Sequence, residues 1–417
     1  MNHAFEGCVL HIELPQEITA NTIEEFSEDL FGIAVADSVR EIVLDAKQLG
    51  YISSAGLRVL LRYTKSHSSI SMRITNASSY VYDVLDMTGY VQIFKVEKAL
   101  RFVDVDGLEE LGRGMYGSVY RVDDETILKV FYDVNSREQL ERILGNVRTA
   151  FVAGIPTIIP FDTVQTKAGL GVVFELLDSE CLADIAHGHP ENIDGCARHM
   201  AQLARKMANT EFAEGSMGSR KAMLRSELES ASSFLGQEEY QELLGYLDAV
   251  PERNTGVHGD FHARNIYLVD GKPLLIDMDD FSLGHPVWDI ACLYRVYPYL
   301  IGLSPSEAQD LFGLDDSIPY EDFYYRIMHV SFEEGTQLWE TFISYYFEGR
   351  TDDEIAAFLQ TSRFYSDYMV IRFVLDQCRK VADQPEVLAE KVGFIRDVLA
   401  RMRESDCDQL IENLKAW

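Results

Sequence analysis

ValHisGlyAspPheHisAlaArgAsnIleTyrLeuVal (257–269) and, just after it, LysProLeuLeuIleAspMetAspAsp (272–280) decide the reading of this chain. The first segment holds Asp260 and Asn265 on a short loop that runs into an apolar, β-branched stretch. The second is another apolar strand that delivers Asp277 at its end. Moving a phosphoryl group from a nucleotide to a hydroxyl needs this chemistry: one carboxylate to orient the attacking oxygen, and one amide and one carboxylate to hold Mg²⁺ against the phosphates. The spacing and the strand context agree with that use.

Working outward toward the N-terminus, LeuGlyArgGlyMetTyrGlySerValTyrArgVal (111–122) places Gly112, Gly114 and Gly117 in a GxGxxG pattern. With 28 glycines in 417 residues the pattern arises by chance about 0.1 times, so it says little alone. Its surroundings say more. A dinucleotide-binding loop lies between a strand and a helix, whereas here SerValTyrArgVal alternates like a strand directly after the glycines, and AspAspGlu makes a turn. ThrIleLeuLysValPhe (126–131) then forms a further strand with Lys129 at its centre. Strand, glycine loop, strand, turn and lysine-bearing strand is the order in which backbone amides cover nucleotide phosphates and an ammonium group meets them. Residues 135–152 form a helix that offers Glu138 and Glu141 as partners for Lys129, and Glu141 is the expected one.

At these residues the sequence resembles the aminoglycoside phosphotransferase and choline kinase superfamily, which shares the protein-kinase fold. HGDFHARN, IDMDD and SerLeuGlyHisProValTrpAspIleAla (282–291) are similar to its HGDxHxxN, IDxD and GxPxxDLA signatures. The resemblance spans residues 105–300. It implies ATP and Mg²⁺ as cofactors, Asp260 as catalytic base, Asn265 and Asp277 as metal ligands, and His258 and Asp289 as buried supports of the loop. It also places a hinge at PheGluLeuLeu (174–177), where backbone groups from Glu175 to Leu177 are expected to meet adenine, and an acceptor pocket in the helical region beyond residue 290. The tyrosines of that region, such as Tyr345 and Tyr346, are expected mainly as core. Glu333, Glu334 and Asp367 are candidates to meet a cationic acceptor, with a solvated face the preferred reading.

Residues 8–100 alternate short strands and amphipathic helices: strands at 8–14, 40–45 and 70–75, helices at 22–31, 54–63 and 79–88, the last ending at Gly89. This pattern predicts a small α/β domain. LeuAspAla (44–46) and YISSAGLRVLL (51–61) resemble the STAS domains of bacterial anti-sigma factor antagonists. The family commonly carries AspSerSerGly where this chain has SerSerAlaGly. By that resemblance Ser54 falls on the serine that partner kinases phosphorylate, while Ser53 replaces the usual Asp. A phosphate is tolerated at a helix N-terminus, beside free N–H groups; the alternative is that the serine only caps the helix.

The predicted architecture is therefore an α/β STAS-like domain (1–102) followed by a two-lobed α+β protein-kinase-like fold (103–417), its N-lobe at about 103–177 and its helical C-lobe at about 178–417. No Gly/Ser linker joins them. A formal charge of −31, from 37 Lys and Arg against 68 Asp and Glu, disfavours nucleic acid and anionic membranes as partners. Six scattered cysteines without a CxxC pair read as reduced thiols. The early Glu at the N-terminus argues against a secretory signal, and no apolar run is long enough to span a membrane. The expectation is a cytoplasmic phosphotransferase whose partners are a nucleotide, a small-molecule acceptor and a protein docking on the STAS-like domain.

Overall fold

The computed structural model describes residues 1–114, 117–132, 134, 136–314 and 317–417. The tip of the glycine loop, 115–116, lies outside them. Two compact units make up the chain: Met1–Asp106 with Thr163–Lys167, and Gly107–Asp162 with Ala168–Trp417. The division falls after Asp106 rather than after residue 102. Thr163–Lys167 join the first unit, where Val164 and Gln165 pair in parallel with Arg101 and Phe102.

In the first unit Val9–Glu13, Glu41–Asp45, Ser71–Ala77 and Lys95–Lys98 run parallel, and His3–Glu6 adds an antiparallel edge. The alternating sequence explains the burial: Leu10 and Ile12, Ile42 and Leu44, and Ile74 are all within 1% of complete burial. The two edge strands escaped the sequence reading because His3–Glu6 is wholly exposed and Lys95–Lys98 is charged at three of its four positions. The helix Ser54–Ser66 lies on this sheet through Leu57, Leu60 and Tyr63. Its start is set by Ser53, whose Oγ accepts the Gly56 N–H at 3.2 Å. Ser54 is thus the first helical residue and is exposed. Gly56 is required by space, because a Cβ there meets Ile18 Cγ2 at 2.6 Å.

In the second unit Glu109–Arg113, Gly117–Arg121, Thr126–Phe131 and Gly169–Glu175 form consecutive antiparallel neighbours. Asp123 builds the turn between the second and third, its Oδ1 accepting from the Glu125 and Thr126 amides at 2.9 and 2.7 Å. The helix Arg137–Val152 follows, capped by Ser136.

The remainder is helical around one short hairpin. Ile266–Val269 pairs with Lys272–Leu275 across Asp270-Gly271, and both turn residues have positive φ, 51° and 72°, as a two-residue hairpin of this hand requires. The helix Asp352–Lys380 runs through the core and is packed by Val287–Tyr294, Pro385–Arg403 and Cys407–Ala416. Tyr297, Tyr324, Tyr365 and Tyr368 are buried in this core, as the sequence suggested for its tyrosine stripes. Among the described residues no helix is long and apolar enough to cross a membrane.

Candidate active site

The loop between Gly256–Val257 and the hairpin is held by its own buried hydrogen bonds. Asp289, buried at the start of Val287–Tyr294, accepts the His258 N–H with one carboxylate oxygen and the Gly259 N–H with the other, both at 2.9 Å. Burial pushes its carboxyl upward against the pull of His258 and these amides. The His258 ring bridges the loop to the second strand: Nε2 lies 3.0 Å from Ile276 O, and Nδ1 accepts the Asp260 N–H at 3.3 Å. These partners fix the tautomer with the proton on Nε2. Gly259 has φ of +88°, and a Cβ there meets Asp280 Cβ at 2.8 Å.

Asp260 and Asn265 come together as their spacing predicted. Asn265 Nδ2 donates to Asp260 O at 2.9 Å and reaches Asp260 Oδ2 at 3.4 Å and His262 Nε2 at 3.3 Å. All these contacts use the amide nitrogen. Burial disfavours charge on Asp260, yet His262 at 3.4 Å and Arg295 at 3.4 Å outweigh it and hold the carboxyl far below its usual range.

Asp277 sits in the left-handed region with φ of +58°, uncommon for a residue with a side chain and of a kind that concentrates at functional sites. The Lys129 ammonium bridges it to Asp279, with 2.5 Å to Asp277 Oδ1 and 2.5 Å to Asp279 Oδ2. Burial works against the charge on Lys129, but the two carboxylates more than compensate and raise its pKa. Asp279 is raised by its own burial and by Asp277 in spite of the lysine.

This corrects the expected partner of Lys129. Glu141 is bonded instead to Arg137 one helical turn earlier, Nε to Oε1 at 2.8 Å, and is partly exposed. The i,i+4 spacing satisfied Glu141 locally, and the IDMDD carboxylates reached the lysine first. Gly117 and Val119 lie on the strand beside the lysine, opposite Phe131 and Lys129, while Gly112 and Gly114 lie on and just after the preceding strand. At the hinge, Leu176 N–H donates to Glu125 O at 2.8 Å, which leaves Glu175 and Leu177 on either side. Neither the glycines 112, 114 and 117 nor the hinge lines the main cavity.

A cavity of about 920 Å³ is lined by Asp260, His262, Asp277 and Asp279 together with residues of the C-terminal helices. The sequence reading missed two of its supports. Arg220, fully buried, donates Nη1 to Asp280 Oδ2 at 3.0 Å and reaches Gly259 O from Nη2 at 3.4 Å. Arg372 clasps Glu227 and touches Asp280 at 3.5 Å. No motif marks either arginine: Arg220 lies 39 residues before Gly259 and Arg372 lies 92 residues after Asp280. Asp280 was legible as the last residue of IDMDD.

Comparison with known proteins now has a frame. Residues 107–351 match the model of the phosphotransferase enzyme family, and residues 3–102 match that of the STAS domain. The chain belongs to the phosphotransferase enzyme family and carries an N-terminal STAS domain. Similar solved structures include the ADP-bound aminoglycoside phosphotransferase APH(2'')-Ib, at 15% identity with a TM-score of 0.44, covering 76% of this chain and 97% of that one. A choline/ethanolamine kinase family protein from Mesorhizobium loti is also 15% identical, with a TM-score of 0.44 and coverage of 74% and 92%. A search of curated proteins gives no match.

Proposed function

We propose that the chain transfers the γ-phosphoryl group of Mg-ATP to a hydroxyl of a small molecule and that its STAS domain regulates or localises this activity. One observation carries the reading: Asp260 and Asp277 line one cavity of about 920 Å³, with Asn265 bonded to Asp260 and Lys129 bonded to Asp277. In the proposed step the acceptor oxygen forms a bond to the γ-phosphorus as the bond to the leaving ADP oxygen breaks. The acceptor proton passes to Asp260. A carboxylate held so low is a weak base, which fits a reaction whose transition state asks for orientation first and proton removal late. Lys129 meets the phosphates, and the glycines 112, 114 and 117 cover them. Backbone groups at Glu175 and Leu177 receive the adenine.

Asp277 and the Oδ1 of Asn265 offer hard oxygen donors of the kind Mg²⁺ takes, so the residues fit the ion. Bound there, Mg²⁺ neutralises phosphate charge. Lys129, now shared between Asp277 and Asp279, must yield part of Asp277 to the cation and turn toward the phosphates. His258 and Asp289 act through the loop backbone rather than on the substrate.

The test is a screen of the purified full chain with labelled ATP and GTP against amino alcohols, sugars, aminoglycosides, hydroxy acids and proteins. Asp277→Ala should abolish the Mg²⁺ dependence of nucleotide binding seen by calorimetry. Equal affinity with and without Mg²⁺ in both proteins defeats the metal assignment.

A second reading, a cytoplasmic signalling protein of an anti-sigma antagonist pathway that phosphorylates a protein or only senses nucleotide, is favoured by the exposure of Ser54 at its helix start. A phosphate there adds about two negative charges to a strongly acidic chain and repels a docked partner. Intact-mass analysis of protein from its native host, with pull-downs of Ser54→Asp and Ser54→Ala, decides: no phosphate and identical partners leave the domain as a constitutive docking module.

A further inference from the structure

Beside Asp260 the cavity wall gathers four cations, Arg295, Arg372, Arg379 and Lys380. Three of them are paired: Arg372 with Glu227 and Asp280, and Arg379 and Lys380 with Asp376. The carboxylates that sequence reading offered to a cationic acceptor are engaged elsewhere. Glu334 accepts from Gly188 N–H and Ser331 N–H at 2.7 and 2.8 Å, and Asp367 is paired with Arg401 at 3.2 Å. Neither they nor Glu333 line the cavity.

Within this wall Arg295 is unusual. Its guanidinium has five N–H donors, yet among the described residues it makes only two hydrogen-bond contacts, both long and both from Nη2: 3.4 Å to Asp260 Oδ1 and 3.6 Å to Cys292 Sγ. Its Nε is buried without a partner. Burial and the neighbouring Arg372 work against its charge, while Cys292 and Asp260 favour it and raise its pKa on balance. A largely buried guanidinium in this condition is costly, and buried polar groups are ordinarily satisfied. Its backbone position is also specialised: Arg295 opens the π-helical turn Arg295–Tyr299, which contains Pro298. Such turns are rare and cluster at functional sites. The fold therefore holds a cation with unspent donors at the wall of the acceptor cavity, next to the carboxylate proposed to orient the hydroxyl.

The geometry points to an acceptor that carries an oxyanion, a carboxylate or a phosphate, seated on Arg295 while its hydroxyl faces Asp260. This rests on the phosphotransferase reading and narrows its substrate class. A planar guanidinium binds either anion through paired N–H donors. A cationic amino alcohol or aminoglycoside would leave the Arg295 donors unmet and set a like charge beside them.

The experiment uses the full chain saturated with Mg²⁺ and a non-hydrolysable ATP analogue, so that the γ-phosphate position is filled. Its thermal midpoint is followed while sodium sulfate, sodium malonate, glycerol or choline chloride is added at matched ionic strength, since a ligand of the folded state raises the midpoint by mass action. Sulfate or malonate should stabilise the wild-type chain and glycerol and choline should not; the stronger of the two anions distinguishes a phosphate from a carboxylate. Arg295→Gln should weaken the apparent anion affinity about tenfold or more. Arg295→Lys, which keeps the charge and loses the fork, should fall between and serves if the Gln variant does not fold. No response to either anion, an equal response in wild type and variants, or greater stabilisation by choline overturns the inference. Failure of the nucleotide analogue to raise the midpoint, with the anion response intact, counts against the phosphotransferase reading instead.

Discussion

The loop at 257–265 and the strand that leads into the glycine loop, both proposed to handle phosphate, are built on opposite plans. In the loop at 257–265, His258 and Asn265 are buried, Gly259 is pinned between Asp280 and Arg220, and Asp289 holds two successive amides. The strand that leads into the glycine loop, Glu109–Arg113, is exposed along its whole length, and a Cβ at Gly112 meets nothing within 4 Å. The difference follows from the tasks proposed for them. A group that orients a nucleophile must stand in place before the substrate binds, because misplacement costs rate directly. A flap that covers phosphates has to admit and release a nucleotide, which fits the exposure of the strand leading to it.

Breaking the prebuilt loop should have the largest effect. Asp289→Ala strands two buried amides at about 1–3 kcal/mol each, so denaturant unfolding should show a loss of about 2–5 kcal/mol and turnover should fall with it. A loss under about 1 kcal/mol removes the claim that Asp289 organises the loop. Asp260→Asn separates orientation from assembly: turnover should drop ~10²-fold or more while calorimetry finds nucleotide affinity within about a few-fold. Unchanged turnover defeats the assignment of Asp260.

The flap sharpens the contrast within itself. At Gly117 a Cβ stands 2.4 Å from Val130 O, a backbone atom that cannot swing aside, so Gly117→Ala should cost about 1–3 kcal/mol in stability. It should also displace the lysine strand and weaken nucleotide binding. Gly112→Ala, in open space, should change stability by no more than about 0.5 kcal/mol. If the two glycine variants behave alike in parallel urea titrations, the flap is held more firmly than its contacts indicate.

Much of this was legible because the signals are local. Apolar patterning marked three of the four parallel strands of the first unit, all but Lys95–Lys98, and Ser53 and Ser54 marked a helix start. The Asp260–Asn265 spacing is closed by a hydrogen bond between neighbours on one loop. Choosing between Ser53 and Ser54 as the cap needed the backbone, since either hydroxyl suits the position chemically and only one has its Oγ on the Gly56 amide.

The long-range partners were not legible. Lys129 reaches 148 and 150 residues along the chain to Asp277 and Asp279, and Glu141, acceptable by helix position, was satisfied by Arg137. Arg220, Arg295 and Arg372 sit in unremarkable helical sequence and acquire meaning only where the fold brings them against Gly259, Asp260 and Asp280. By itself the sequence determined the two domains, the order of their elements and the residues fit for phosphoryl transfer, because propensity, periodicity and motif spacing are properties of neighbours along the chain. Tertiary structure alone decided which carboxylates hold the lysine and which cations face the cavity, because a charge pairs with whatever the fold places within a few ångströms, however distant in sequence.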